Sequence, residues 1–334
     1  MKRQRPIWAV VFGVLLTAYT VYAMLDVFVI KRPMKENATE VNLSVFDKFA
    51  TATPTPSPTA APVVTQAPNA TATPTVPPEP TATPTPSYFT DEVVETDTSY
   101  SNDHLNIQIS EIREHRTQVH IVEIRVSSAR YLLTAFAKDT YGRNIYEKTS
   151  RMAASKDAIL AINGDNYGSR EGGYVIRNGV LYRETKNARM DVLCIMPDGD
   201  FVFSHSNKAT AQELAGIGAW QAFTFGPVLI DNSEIVIQTD TEVDLCYVTN
   251  PRTAIGMVEP LHYFIVVADG RTKESHGLSL YEVADIMLRL GCTKAFNLDG
   301  GGSSTCVFRG KYVNFPTSEG TLYERGVSDI LYVQ

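Results

Sequence analysis

Ala295-Phe296-Asn297-Leu298-Asp299-Gly300-Gly301-Gly302-Ser303-Ser304-Thr305 is the stretch from which the rest of the chain is read. The apolar run Ala295 to Leu298 has the length of a buried strand, and it delivers a carboxylate to its end. Three glycines and three hydroxyl residues follow. Consecutive glycines cost conformational entropy and pack nothing. They belong where a backbone turns sharply, exposes its N–H groups or lets a ligand approach. A plain tight loop with Asp299 as its turn residue accounts for the same letters.

Two other apolar runs end in the same way. Ala158 to Ile162 runs into Asn163-Gly164-Asp165, and His262 to Ala268 runs into Asp269-Gly270-Arg271. If the three strands are neighbours, Asp165, Asp269 and Asp299 gather at one sheet edge, with Arg252 of Asn250-Pro251-Arg252-Thr253 as a fourth member. Paired carboxylates suit glycoside cleavage, one as acid and the other as base or nucleophile. A guanidinium and exposed backbone N–H groups suit a phosphate. Aspartates also end strands for turn reasons alone. His276, in a Glu-Ser-His-Gly loop, reads as solvated, and Ser303 and Ser304 lie outside any Gly-x-Ser-x-Gly elbow.

Around these runs the pattern is mostly of strands. Leu105 to Ser110, Gln118 to Val126 and Tyr131 to Ala137 come first. Asn178-Gly179 joins Tyr174–Arg177 to Val180–Arg183 in the strongest hairpin signal. Met190–Met196 and Asp200–Ser204 read as a second hairpin, and Thr305–Phe308 with Lys311–Phe315 as a third. Thr149–Lys156 and Thr210–Leu214 read as short helices. Leu280–Leu290 is the clearest helix. Ser279 and Glu282 have capping-box spacing, Leu280, Val283, Met287 and Leu290 share a face, and Gly291 ends it. The fold expected is α+β, a sheet-rich mixed α/β single domain over residues 88–334.

What precedes that domain is different material. Lys2, Arg3 and Arg5 stand before Ile7–Leu25, nineteen residues without a formal charge. As a helix this run is roughly 29 Å long, near the thickness of a bilayer core. Residues 1–35 therefore read as a cytoplasmic tip and a transmembrane anchor. A cleaved signal peptide, with Val21-Tyr22-Ala23 as its cleavage site, is the competing reading. Residues 36–87 read as a disordered extracellular stalk, because Ala50 to Ser87 is almost all Thr, Pro, Ala and Ser and has nothing to bury. Such a stalk holds a domain away from a surface.

The net charge of −7 and the lack of a long basic run argue against nucleic acid as a partner. Cys194, Cys246, Cys292 and Cys306 stand far apart, with no Cys-x-x-Cys and no His-Glu-x-x-His, so no zinc site of familiar spacing is expected. They read as buried thiols, with a Cys292–Cys306 disulfide across the glycine turn as the alternative. No cofactor is required by this reading; clustered carboxylates would accept a divalent cation such as Ca²⁺.

From about Leu105 to Val333 the chain resembles the phosphodiester glycosidase family. The resemblance rests on Ala161-Ile162-Asn163-Gly164, Phe225-Gly226-Pro227, Pro251-Arg252-Thr253-Ala254, Ala268-Asp269-Gly270-Arg271 and Asn297 to Ser304, with Gly277-Leu278-Ser279-Leu280 before the helix. It departs at Asn163-Gly164-Asp165-Asn166-Tyr167, where the family often has Asn-Gly-Gly-Phe-Phe. The resemblance implies a hydrolase acting on a sugar-1-phosphodiester in an envelope or exopolysaccharide glycan. The anchor and stalk agree with its bacterial members, many of which are tethered or secreted outside the cell. On this basis Asp299 and either Asp269 or Asp165 are the expected acid–base residues. Asn163, Gly164, Arg252, Thr253, Gly270, Arg271, Asn297, Gly300, Gly301, Gly302, Ser303 and Ser304 are the expected substrate contacts. A glycosidase on a phosphate-free polysaccharide, or a glycan-binding module using Tyr167 and Tyr174, are the alternatives.

Overall fold

The computed structural model describes residues 7–34, 46, 88–205, 208–241, 249–318 and 321–334. The stalk expected over 36–87 thus lies outside the described residues except for Phe46, as do residues 1–6 and Cys246.

The domain is sheet-rich mixed α/β, as expected. Its largest sheet has nine strands. At its centre Arg252–Glu259 pairs antiparallel with His262–Ala268 on one side and with Lys294–Asn297 on the other. His262–Ala268 then pairs with Thr117–Val126, and that strand with Leu105–Glu114. A five-stranded sheet carries Leu160–Asn163 between Cys306–Phe308 and Asp329–Val333. A second five-stranded sheet holds the two hairpins Val175–Arg177/Val180–Arg183 and Asp191–Ile195/Phe201–His205, bridged by Gln221–Phe225.

The period-two alternation of the strands explains this layering. In His262–Ala268, Tyr263, Ile265 and Val267 face a central core shared by the three sheets, while Phe264, Val266 and Ala268 face a second core under a helix. Val122, Ile124 and Val126 likewise face the centre, and Val119 and Ile121 the helix side. A strand buried on both faces has no polar register, which is why His262–Ala268 reads as continuously apolar.

Each sheet carries one helix on its outer side. Leu280–Arg289 covers the large sheet through Leu280, Val283, Ala284, Ile286 and Met287. It starts at the expected capping box of Ser279 and Glu282 and stops before Gly291, whose φ of +87° suits glycine. Ala211–Gly216 begins with a capping box of Thr210 and Glu213. Thr149–Ser155 packs Met152 and Ala153 against Ala161, Val307 and Ile330.

Cys194, Cys292 and Cys306 are buried free thiols. The Cys292–Cys306 alternative is thereby excluded, and the reason is the layering: Cys292 belongs to the helix-side core and Cys306 to the central one.

At the N-terminus Ile7–Phe28 forms one helix. Its segment Trp8–Asp26 is long and apolar enough to cross a membrane, and none of it is buried against the domain. Beyond it the chain does not leave the domain at once. Arg32 and Pro33 pair antiparallel with Arg143 and Gly142, and Phe46 packs edge-on against Trp220 with ring centroids 5.0 Å apart.

Candidate active site

The strand order brings three of the predicted residues to one edge. Arg252 opens the central strand, opposite Ala268, so Asp269 lies just beyond it on one flank. On the other flank Leu298 N–H donates to Thr253 O and Gly301 N–H to Pro251 O, which sets Asp299 and the glycine turn beside Arg252. Asn163 ties the second sheet to this edge. Its Nδ2 donates to Asp299 O at 2.7 Å, and its Oδ1 accepts from Thr253 Oγ1 at 2.9 Å and Thr305 N–H at 3.2 Å. Asn297 Nδ2 donates to Gly226 O at 2.8 Å and so holds the Phe225-Gly226-Pro227 turn against the same strand end.

Asp299 is the carboxylate that meets the glycine turn. Ser303 Oγ donates to its Oδ2 at 2.5 Å, and Arg325 Nη2 stands 3.4 Å from the same oxygen. Arg325 Nη2 also donates to Ser303 Oγ at 2.5 Å, closing a three-membered cluster. Only 8 % of Asp299 is exposed. Burial raises its pKa above the usual carboxylate value, and the positive charge of Arg325 and the Ser303 hydrogen bond oppose that shift without cancelling it.

Two further guanidinium groups frame the turn. Arg252 is buried, and its Nε donates to Leu278 O at 2.9 Å. Arg271 is exposed and donates to Asn250 Oδ1 at 3.1 and 3.3 Å. The glycines are what let them close in. A Cβ on Gly301, where φ is +60°, would sit 2.8 Å from Arg271 Nη2, and one on Gly300 would sit 2.9 Å from Pro251 O. Gly302 faces the stem of Arg325.

The other two predicted carboxylates have different surroundings. Asp269 is 7 % exposed; its Oδ1 accepts from Phe315 N–H at 2.8 Å and its Oδ2 lies 3.3 Å from His120 Nε2. Asp165 is wholly buried. It accepts from Tyr167 N–H, Thr224 N–H and Arg177 Nη2, and Arg177 also pairs with the buried Asp329. Gly164 packs on the same cluster: its N–H donates to Asp329 O at 3.0 Å, and a Cβ there would lie 2.4 Å from Asp329 Oδ1. Asn163, Thr253 and Asn297 are likewise buried; Asn163 and Thr253 bond to each other, and Asn297 bonds the frame through its Nδ2 alone, leaving its Oδ1 buried without a hydrogen-bond partner among the described residues. Gly270 packs on Pro251 and Gly277. Among the described residues no group of three or more His, Cys, Asp or Glu side chains gathers as a metal centre would.

Sequence reading missed Arg325, Arg177, Asp329 and His120. Nothing local marks Arg325, which sits between Glu324 and Gly326 in an otherwise unpatterned loop.

A buried carboxylate of raised pKa, with a serine hydroxyl and an arginine on it at the end of a sheet, is equipment that suits a glycosidase-type hydrolase. A sequence model of phosphodiester glycosidases matches residues 156–334, just over half of the chain. The chain belongs to the phosphodiester glycosidase family. It is 34% identical over 199 residues to the SPbeta prophage-derived uncharacterized protein YomE of Bacillus subtilis (strain 168), covering 58% of this chain and 30% of that protein. It is 39% identical over 158 residues to the N-acetylglucosamine-1-phosphodiester alpha-N-acetylglucosaminidase of Mus musculus, covering 43% of this chain and 30% of that one. The chain thus spans about three-tenths of the length of these relatives. The catalytic domain of the zebrafish N-acetylglucosamine-1-phosphodiester alpha-N-acetylglucosaminidase shares the fold, with a TM-score of 0.56, 22% identity and coverage of 69% of this chain and 82% of that chain.

Proposed function

We propose that this protein is a membrane-tethered extracellular hydrolase that cleaves a sugar-1-phosphodiester in an envelope or exopolysaccharide glycan. The observation that carries the reading is the Asp299–Ser303–Arg325 cluster at the mouth of the glycine turn, with Arg252 and Arg271 beside it. The names of the vertebrate relatives supply the type of linkage.

Breaking the sugar C–O bond of such a substrate releases a phosphate monoester, so negative charge grows on the leaving group. Guanidinium groups held in place before the reaction stabilise that charge better than reorganising water does. Asp299, with its pKa raised, retains a proton more readily than an exposed aspartate and is placed to give and take it. Ser303 and Arg325 fix its orientation. Asp269 is the second carboxylate of choice, since it lies at the same end of the Arg252 strand as Asp299, on the opposite flank, whereas Arg177 holds Asp165 in an ion pair inside the fold. Asp165 then serves to position the Asn163-Gly164 turn.

The test is turnover by the full chain and its Asp299→Asn variant on a panel of sugar-1-phosphodiesters and matched phosphate-free glycosides. Asp299-dependent release from the phosphodiesters alone is expected. Equal release from both sets would replace this reading with a general glycosidase.

A further inference from the structure

The residues that follow the apolar helix are bound to the domain, and they are bound next to the candidate site. Three residues, Val29, Ile30 and Lys31, separate the end of the helix at Phe28 from Arg32. That link spans at most about 14 Å from Phe28 to Arg32 even when fully extended. From there Arg32 and Pro33 pair with Arg143 and Gly142. Met34 N–H donates to Tyr141 O at 3.1 Å, and Asn144 Nδ2 donates to Ile30 O at 3.1 Å. Met34 packs on the cluster of Tyr141, Tyr167 and Val175. Gly142 permits this approach, because a Cβ there would lie 2.4 Å from Arg32 O. Three residues beyond Arg143, Tyr146 packs on Gly326, the neighbour of Arg325, where an added Cβ would lie 3.2 Å from the Tyr146 Cβ.

The charges at this place point to what lies opposite. Lys31 and Lys138 are both exposed, and their ammonium groups are close enough that Lys138 lowers the pKa of Lys31. Lys31 lies in the short link between the end of the apolar helix and the Arg32–Pro33 pairing, and Lys138 lies four residues before Gly142, the partner of Pro33, so both ammonium groups stand on the side of the domain from which the helix leaves. Anionic headgroups at the surface the helix has just left provide the opposite charge.

We propose that Ile30–Met34 seats the domain directly on the membrane face, with Lys31 and Lys138 on anionic lipid headgroups, so that the site acts on sugar phosphodiesters carried at the membrane surface. This rests on the anchored-hydrolase reading above. It reverses the role expected for the Thr/Pro-rich stretch. Residues 50–87 would then fall in sequence between two points already fixed on the domain, Phe46 and Tyr88, and would not set its height.

The experiment uses the full chain in phosphatidylcholine vesicles with and without phosphatidylglycerol. A fluorophore is placed through Ala154→Cys, an exposed position on the Thr149–Ser155 helix, and an acceptor dye is placed in the headgroup layer. Energy transfer is expected to stay the same when residues 50–87 are doubled. It is expected to fall in Met34→Asp and Asn144→Ala, and to fall in Lys31→Glu/Lys138→Glu only where phosphatidylglycerol is present. Transfer that declines as residues 50–87 are lengthened would overturn the seat, and a chain that does not associate with vesicles would overturn the anchor as well. In the same vesicles a lipid-borne sugar-1-phosphodiester is expected to turn over faster than its soluble headgroup, with the excess lost in Met34→Asp. Faster turnover of the soluble headgroup in Met34→Asp would overturn the seat and make Ile30–Met34 an inhibitory strap. Cleavage of neither form would overturn the hydrolase reading, and energy transfer alone would then decide the seat.

Discussion

Two strand ends in this protein carry nearly the same letters and come to opposite uses. Asn163-Gly164-Asp165 ends in a sealed cluster, where Arg177 lies between Asp165 and Asp329 and all three side chains are buried. Asn297-Leu298-Asp299-Gly300 ends beside an arginine that is 47% exposed at its side chain, with a hydroxyl shared between the two. The difference is set by the partner. A guanidinium brought in from inside the fold seals its carboxylates away, and one brought in from a surface loop leaves the cluster half-exposed on its arginine side.

The largest expected effect lies in the sealed cluster. Arg177→Ala strips two buried carboxylates of their cation, a loss on the order of 3–5 kcal/mol. Urea denaturation should show it, with activity falling only in proportion to the folded fraction. Asp299→Asn should do the reverse. Turnover of a sugar-1-phosphodiester should drop by roughly 10²–10⁴-fold, as for loss of an acid–base group, while the urea midpoint stays near that of the parent. If Asp299→Asn instead unfolds the protein, the two ends are alike and the comparison fails.

Arg325→Lys comes next. It keeps the charge but loses the fork that spans Ser303 and Asp299, so a loss of about 10-fold in kcat/KM is expected, greater for phosphodiesters than for phosphate-free glycosides. Equal losses on both would place Arg325 with Arg177 as a structural cation. The last is a slope with pH. Burial pushes the Asp329 carboxyl up to about 7, against 3.8 ordinarily, although Arg177 pulls it down. For an acid with a raised folded pKa, the unfolded chain ionises first, so stability falls as pH rises from about 4 to about 7 and is level above that. Asp329→Asn, which still offers an acceptor to Arg177 Nε, should flatten that slope in urea midpoints taken across the range.

Much of the fold was legible because its signals are local. The Ser279–Glu282 capping box and the apolar face behind it lie within one helix, and the Asn178-Gly179 turn within one hairpin. The meeting of Arg252 and Asp269 was legible too, because a two-residue connection makes neighbours of their strands, whereas Asp299 joins them on the other flank after a helical crossover. Arg177 was not. It closes a strand of the sequence Val-Ile-Arg, where an arginine ordinarily faces water, and its burial depends on Asp329, 152 residues away. Arg325 depends on Ser303 and Asp299 across loops that carry no periodicity. The Ile30–Met34 pairing was hidden by the low-complexity stretch behind it, which reads as a spacer whether or not the chain before it is bound.

The three buried thiols have a consequence for how the protein can be made. The Cys194 and Cys292 thiols are pushed up to about 12 by burial, and that of Cys306 is pushed up as well. None is a thiolate at neutral pH, and the thiolate is the form that air, glutathione and alkylating reagents attack. These cysteines ask nothing of an oxidising compartment. The cores these three thiols belong to can therefore form in a reducing or an oxidising compartment alike, with no disulfide to be made between them.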